Sequence, residues 1–174
     1  SSKSSPAFSL LDLVEPRAAI SVGPYQGQWI KLITKMTQAQ RVLEIGTFMG
    51  YSALCFAEGL PNNGTVLTCD IDHVTFEKAR QNFATHPHGH KVQPKFAPGL
   101  EVLQEAANNG NTFDVIFIDA DKHNFLNYYK FIFDNKLLTP NGVLIVDNTL
   151  WRGEVVGEEE TPEIEPLPTS EVES

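Results

Sequence analysis

Three oxygen-bearing side chains stand where no structural need explains them. Phe113-Asp-Val-Ile-Phe-Ile-Asp119 and Val143-Leu-Ile-Val-Asp147-Asn148 are short apolar runs, β-branched and aromatic, with the pattern of strands buried on both faces. Each run stops abruptly in acid or amide. Parallel neighbours lie about 4.8 Å apart, so the carboxyl ends of these two strands would gather Asp119, Asp147 and Asn148 at the crevice where open α/β sheets bind ligands. Two carboxylates and an amide carbonyl suit a hard, oxygen-loving cation such as Mg²⁺, Mn²⁺ or Ca²⁺, and suit zinc or copper poorly.

A second constellation lies upstream. Glu44-Ile-Gly46-Thr-Phe-Met-Gly50-Tyr51-Ser52 reads as strand, glycine turn and helix, with Gly46 allowing close backbone approach of a ligand. It is G-x-x-x-G rather than the dinucleotide fingerprint, and a plain βα turn is its bland alternative. Asp70 closes the next strand, 24 residues after Gly46, where a carboxylate is placed to accept both hydroxyls of a ribose. Asp72 is better placed as a helix N-cap. With no Walker lysine and no glycine-rich phosphate nest, these groups outline a nucleoside site. S-adenosylmethionine, which carries adenosine without phosphate, fits that outline better than NAD or ATP.

The elements that must position these groups alternate regularly. Helix from Pro24, with Trp29, Leu32, Ile33 and Met36 as its apolar face, is followed by strand Arg41–Gly46 and a helix from Gly50 to Leu60. Strand Thr65–Cys69, a helix marked by Phe76, Ala79 and Phe83, strand Lys91–Phe96 and a helix carrying Leu100, Leu103 and Ala107 come next. Strand four ends at Asp119, and a helix carries Phe125, Tyr128, Tyr129, Ile132 and Phe133. Pro140-Asn-Gly142 turns into strand five. Five such units predict an α/β doubly wound parallel sheet. The order 3-2-1-4-5 puts Pro94, which cannot donate a ladder hydrogen bond, in an edge strand.

Composition excludes several classes. The chain has 174 residues and a net charge of −9, but seven of its acids are glutamates in residues 157–174. Removing those seven leaves −2 on the preceding body, with no basic stripe for nucleic acid. The expected division is a domain over 1–156, including a cover segment over 1–23, and an acidic disordered tail over 157–174. No apolar run approaches the roughly 20 residues of a membrane span, residues 1–9 do not read as a signal peptide, and a cytoplasmic protein is expected. Cys55 and Cys69 read as buried free thiols. His86-Pro-His-Gly-His90 reads as a polar surface loop rather than a metal tract; His73 and His123 read as plain surface positions.

Together, Val42-Leu-Glu-Ile-Gly-Thr-Phe-Met-Gly-Tyr-Ser52, Cys69-Asp-Ile-Asp72, Phe117-Ile-Asp-Ala-Asp-Lys122 and Val146-Asp-Asn-Thr-Leu-Trp151 resemble the cation-dependent O-methyltransferases of the caffeoyl-CoA O-methyltransferase type, with catechol O-methyltransferase as a more distant relative. The resemblance runs from about Gly23 to Val156. It implies the Rossmann-like methyltransferase fold and transfer of a methyl group from S-adenosylmethionine to one hydroxyl of a vicinal phenolic diol. It implies that Glu44, Gly46, Tyr51, Ser52, Asp70, Gly99 and Asp119 hold the cofactor. It implies that Asp119, Asp147 and Asn148 hold the divalent cation, that Lys122 is the general base, and that the protein is a homodimer. Trp151 is a candidate wall for the aromatic substrate, with core packing the alternative. Two departures stand out. Ala97-Pro-Gly-Leu100 replaces the commoner Gly-Pro-Ala-Leu, and the closing C-terminal antiparallel strands of the family are expected to be missing. The competing reading is a catalytically impaired relative that binds a nucleoside or a partner protein; an NAD-dependent oxidoreductase lacks its fingerprint.

Overall fold

In the computed structural model, which describes residues 24–120 and 122–147, the alternation appears as expected. The elements are α1 (Pro24–Met36), β1 (Arg41–Ile45), α2 (Tyr51–Gly59), β2 (Thr65–Asp70), α3 (His73–Thr85), β3 (Val92–Phe96), α4 (Gly99–Asn108), β4 (Phe113–Ile118), α5 (Phe125–Asp134) and β5 (Leu138–Val146). The strands form one parallel sheet of order β3-β2-β1-β4-β5. Pro94 sits opposite Thr68 in β3, which pairs with β2 alone. Two-residue alternation sends successive side chains to opposite faces, so the sheet carries two cores. Val42, Val66, Val115 and Phe117 pack with Ile30, Phe56 and Phe83. Leu43, Ile45, Ile116 and Ile118 pack with Leu103, Tyr128 and Ile132.

Three expectations are corrected. The face of α1 that meets the protein is not the apolar stripe. Ile30 and Thr34 are buried, whereas Trp29, Leu32 and Met36 are 51, 54 and 73% exposed. Close approach decides this. A side chain on Gly27 would lie 2.6 Å from the Tyr51 hydroxyl and 2.9 Å from Cys55 Sγ, and one on Gly59 would lie 2.7 Å from Thr34 Cβ. The seam between α1 and α2 is therefore set by small residues, and the larger apolar ones face outward. The Pro140–Gly142 turn, secondly, lies inside β5. Phe113 pairs with Leu138 but Val115 with Val143, so the turn residues form an excursion within the strand.

Thirdly, His86 is buried rather than on a surface loop. The segment folds back on the end of α2. Buried Lys91 donates from Nζ to the Ala57 and Leu60 carbonyls at 2.9 and 2.8 Å, satisfying carbonyls the helix end leaves open. His86 Nδ1 accepts the His88 N–H, its Nε2 lies 3.4 Å from Glu58, and Glu58 also pairs with Lys31. Burial lowers the His86 pKa. Cys55 and Cys69 are buried free thiols, as expected. No helix among the described residues is long and apolar enough to cross a membrane.

Candidate functional site

The ladder of the sheet extends one step beyond each strand end. Gly46 N–H donates to Cys69 O, Ala97 N–H to Asp70 O, Asp119 N–H to Ile45 O and Asp147 N–H to Ile118 O, at 2.9 to 3.1 Å. The residues after the strands are thus fixed at the carboxyl edge. Between them lies a cleft of about 400 Å³, within the range of small-molecule sites. Gly46, Phe48, Asp70, Ile71, Pro98, Gly99, Asp119 and Tyr128 are among the residues that line it.

Gly46 is required by contact and by conformation. Its φ is +107°, and a Cβ there would lie 2.1 Å from the Asp119 carbonyl oxygen. Any side chain would push β1 and β4 apart at the mouth of the cleft. Asp70 holds the following turn. Its Oδ2 accepts the N–H of Phe48 at 2.7 Å, and its Oδ1 accepts those of Ile71 and Asp72 at 2.7 and 2.9 Å. Phe48 has a φ of +46°, a left-handed conformation that costs a non-glycine residue energy, and the hydrogen bond to Asp70 sustains it. Asp72 caps α3, accepting from Val74 and Thr75. Gly99 opens α4 against Ile45 and Tyr128, where a Cβ would stand 2.5 Å from Ile45 Cγ2.

Glu44 shares its sheet face with Val42, so it lies wholly inside the core beneath α2. Thr47 and Thr68 hydroxyls are 2.6 Å apart, and Thr68 donates to Glu44 Oε2 at 2.5 Å. Oε1 makes no hydrogen bond of ordinary geometry among the described residues. Burial pushes this carboxyl up to about 8; the Ser52 and Thr68 hydroxyls oppose the rise, and the charges of Asp119 and Asp70 add to it. A buried oxygen without a well-aligned partner is costly, and a hydrogen-bonding ligand group would relieve it. Ser52, in the first turn of α2, is likewise buried.

Tyr51 lies elsewhere. Its hydroxyl packs under Gly27 of α1 beside Cys55, and it is absent from the cleft lining, so its place in the fold is the seam between α1 and α2. Sequence reasoning passed over Phe48, Ile71 and Tyr128. Ile71 carried a signal, being an apolar residue set between two acids, and it is 67% exposed at the cleft.

On the other side of the edge, β4 and β5 end side by side at Asp119 and Asp147. Gln26 in the first turn of α1 donates from Nε2 to Asp147 Oδ2 at 3.4 Å. Asn148 and Trp151, and the side chain of Lys122, lie outside the described residues. Two carboxylates on adjacent strand ends are a donor set that fits an oxygen-preferring divalent cation. Among the described residues no three His, Cys, Asp or Glu side chains cluster as metal ligands.

Comparison with known proteins agrees with this architecture. The O-methyltransferase family profile matches residues 11–167. Caffeoyl-CoA O-methyltransferase 2 of Petunia hybrida and caffeoyl-CoA O-methyltransferase 1 of Nicotiana tabacum are each 37% identical to the chain over 140 residues, which is 79% of this chain and 57 and 58% of theirs. The chain therefore spans less than three-fifths of those relatives. Among solved structures, an O-methyltransferase from Bacillus cereus in complex with SAH matches with a TM-score of 0.77 and 32% identity, covering 87% of this chain and 71% of that one. TomG from Streptomyces achromogenes, involved in tomaymycin synthesis and bound to SAM, matches with a TM-score of 0.79 and 29% identity, covering 91 and 72%.

Proposed function

The chain belongs to the O-methyltransferase family, and on that premise we propose that it transfers the methyl group of S-adenosylmethionine to one hydroxyl of a vicinal phenolic diol, with a divalent cation bound. The observation that carries this reading is the meeting of two half-sites on one sheet edge. A cleft lined by Gly46, Asp70, Gly99 and Asp119 adjoins a second carboxylate, Asp147, at the neighbouring strand end.

In the cofactor half, Gly46 leaves the space a nucleoside needs to approach the backbone. Asp70 uses three of its roughly four lone-pair sites on backbone N–H groups, which leaves about one oriented for a ribose hydroxyl. Phe48 and Ile71 offer apolar surface for the base, and Glu44, buried beneath the cleft, keeps Oε1 as a hydrogen-bonding group.

In the acceptor half, Asp119, Asp147 and Asn148 would hold the cation, Mg²⁺ first by the chemistry of the donor set. Bound there, a divalent cation lowers the pKa of a coordinated hydroxyl. Lys122, three residues past Asp119, is the proposed proton acceptor, and Trp151 the proposed wall for the aromatic ring. Holding acceptor oxygen and sulfonium methyl in line is the chief contribution of such a cleft. A homodimer in the cytoplasm completes the proposal; light scattering on the eluted protein measures the first.

The test is methyl transfer from S-adenosylmethionine to catechol with Mg²⁺, repeated with excess EDTA. Turnover abolished by EDTA is the expected result. Retention of S-adenosylhomocysteine with no turnover under either condition would favour the nucleoside-binding relative instead.

A further inference from the structure

The contact between Gln26 and Asp147 joins residues 121 apart in the chain. It links the first turn of α1 to the end of β5, two elements that no strand ladder connects. Resting on the reading of Asp147 as a cation ligand, we propose that Gln26 is a positioning residue for the acceptor half: its amide holds the Asp147 carboxylate in the rotation that receives the cation.

Three features carry the inference. First, the Asp147 backbone is anchored, its N–H donating to Ile118 O at 2.9 Å, which leaves side-chain rotation as the freedom a partner can act on. The Gln26 Nε2 donor on Oδ2 acts on that rotation. At 3.4 Å the contact is longer than the usual range of about 2.7–3.2 Å for N–H···O. Second, Gln26 is itself well placed. The next residue, Gly27, is buried against Tyr51 and Cys55, with no room for a side chain, so the base of the Gln26 side chain is pinned to the α1–α2 seam. Tyr25, Gln26 and Gln28 are all exposed, and Gln26 is the one whose side chain meets Asp147. Third, the chemistry is appropriate. An amide donates without positive charge, so it orients a carboxylate without competing with a cation for it. A lysine at this position would act as a rival counter-ion. Hydrogen-bond partners of ligating carboxylates of this kind set ligand orientation, and their loss typically weakens metal binding by about 10- to 100-fold.

The experiment titrates the 174-residue chain with Mn²⁺ alone, following loss of the free-ion electron paramagnetic resonance signal. Wild type, Gln26→Met, Gln28→Ala and Asp147→Asn are compared. Gln26→Met keeps length and removes the donor. The expected result is Mn²⁺ affinity weakened about 10- to 100-fold in Gln26→Met, with S-adenosylhomocysteine affinity and melting temperature unchanged and Gln28→Ala like wild type. In turnover, the Mg²⁺ concentration for half-maximal rate rises by the same factor while the rate at saturating Mg²⁺ returns to the wild-type value. Gln26→Met with wild-type Mn²⁺ affinity, while Asp147→Asn loses it, overturns the proposal and leaves the cation reading intact. A parallel fall in S-adenosylhomocysteine affinity and melting temperature overturns it in favour of a merely structural contact. Wild type that takes up no Mn²⁺ overturns the cation reading and this proposal together.

Discussion

The two halves of the carboxyl edge are built differently. Around Gly46, Asp70 and Gly99 nearly every polar group is engaged within the sheet's own βα turns. Asp70 alone holds three backbone N–H groups, and all of them lie within 22 residues of it. At Asp119 and Asp147 the backbone is anchored and the residues are half-buried, and one hydrogen bond on Asp147 comes from 121 residues away. The cofactor half is preorganised by local chain geometry. The acceptor half is assembled by long-range packing. For the proposed methyl transfer this is a sensible division, because preorganisation favours a constant ligand.

The largest break falls where the halves touch. Gly46→Ala would set a methyl group 2.1 Å from the Asp119 carbonyl and demand a φ of +107° from a residue with a side chain. We expect about 4 kcal/mol or more of lost stability in urea denaturation, with S-adenosylhomocysteine binding lost as well. Normal stability in this variant would mean that the close approach of the two strands is not required.

Glu44 gives the next effect, and it is specific to the cofactor half. The carboxyl titrates near 8 in the folded protein against 4.5 ordinarily. Between those values the folded protein keeps a proton that the unfolded chain has released. Stability from this group is thus complete below about 4.5 and declines as pH rises towards 8, by up to about 1.4 kcal/mol per unit. In Glu44→Gln that decline vanishes, so the variant's stability relative to wild type improves steadily from pH 5 to pH 8 in cofactor-free urea titrations. Parallel pH profiles for the two proteins would show that the carboxyl is not buried as described.

The acceptor half should fail without disturbing its neighbour. Asp147 is not among the residues that line the cleft. Asp147→Asn should weaken Mn²⁺ binding more than the loss of an outer partner does, so by more than about 100-fold. S-adenosylhomocysteine affinity by calorimetry should stay within twofold. Loss of both would erase the distinction between the halves.

How much of this was legible in the sequence follows the same division. Four apolar runs, and a fifth segment marked as an edge by Pro94, led to the sheet order, because buried parallel strands are written as continuous apolar segments. The strand-end acids stood out for the same reason. Three things were hidden. The face of α1 was misread because periodicity reports where apolar residues lie, whereas Gly27 and Gly59 decide which side can approach α2. His86 looked superficial because Lys91, which pulls its segment onto α2, resembles any strand-leading lysine until its partners at Ala57 and Leu60 are known. The Gln26–Asp147 link joins the beginning of one pattern to the end of another, and no local spacing announces such a pair.

The finest test separates two aspartates two residues apart. Asp70 and Asp72 both accept backbone N–H groups in the turn after β2, yet Asp70 lines the cleft and Asp72 caps α3. Asp72→Ala should cost about 1 kcal/mol of stability, the usual loss for an N-cap, and leave S-adenosylhomocysteine affinity within twofold. Asp70→Asn replaces one acceptor oxygen by a donor facing either Phe48 N–H or the pair from Ile71 and Asp72. That turn should loosen and the ribose should lose a charged partner, a change of roughly 1.5 kcal/mol or more that calorimetry would read as at least about tenfold weaker binding. If Asp70→Asn lowers stability alone and spares the affinity, Asp70 is a clamp on its turn, and the ribose must be held from the other wall of the cleft.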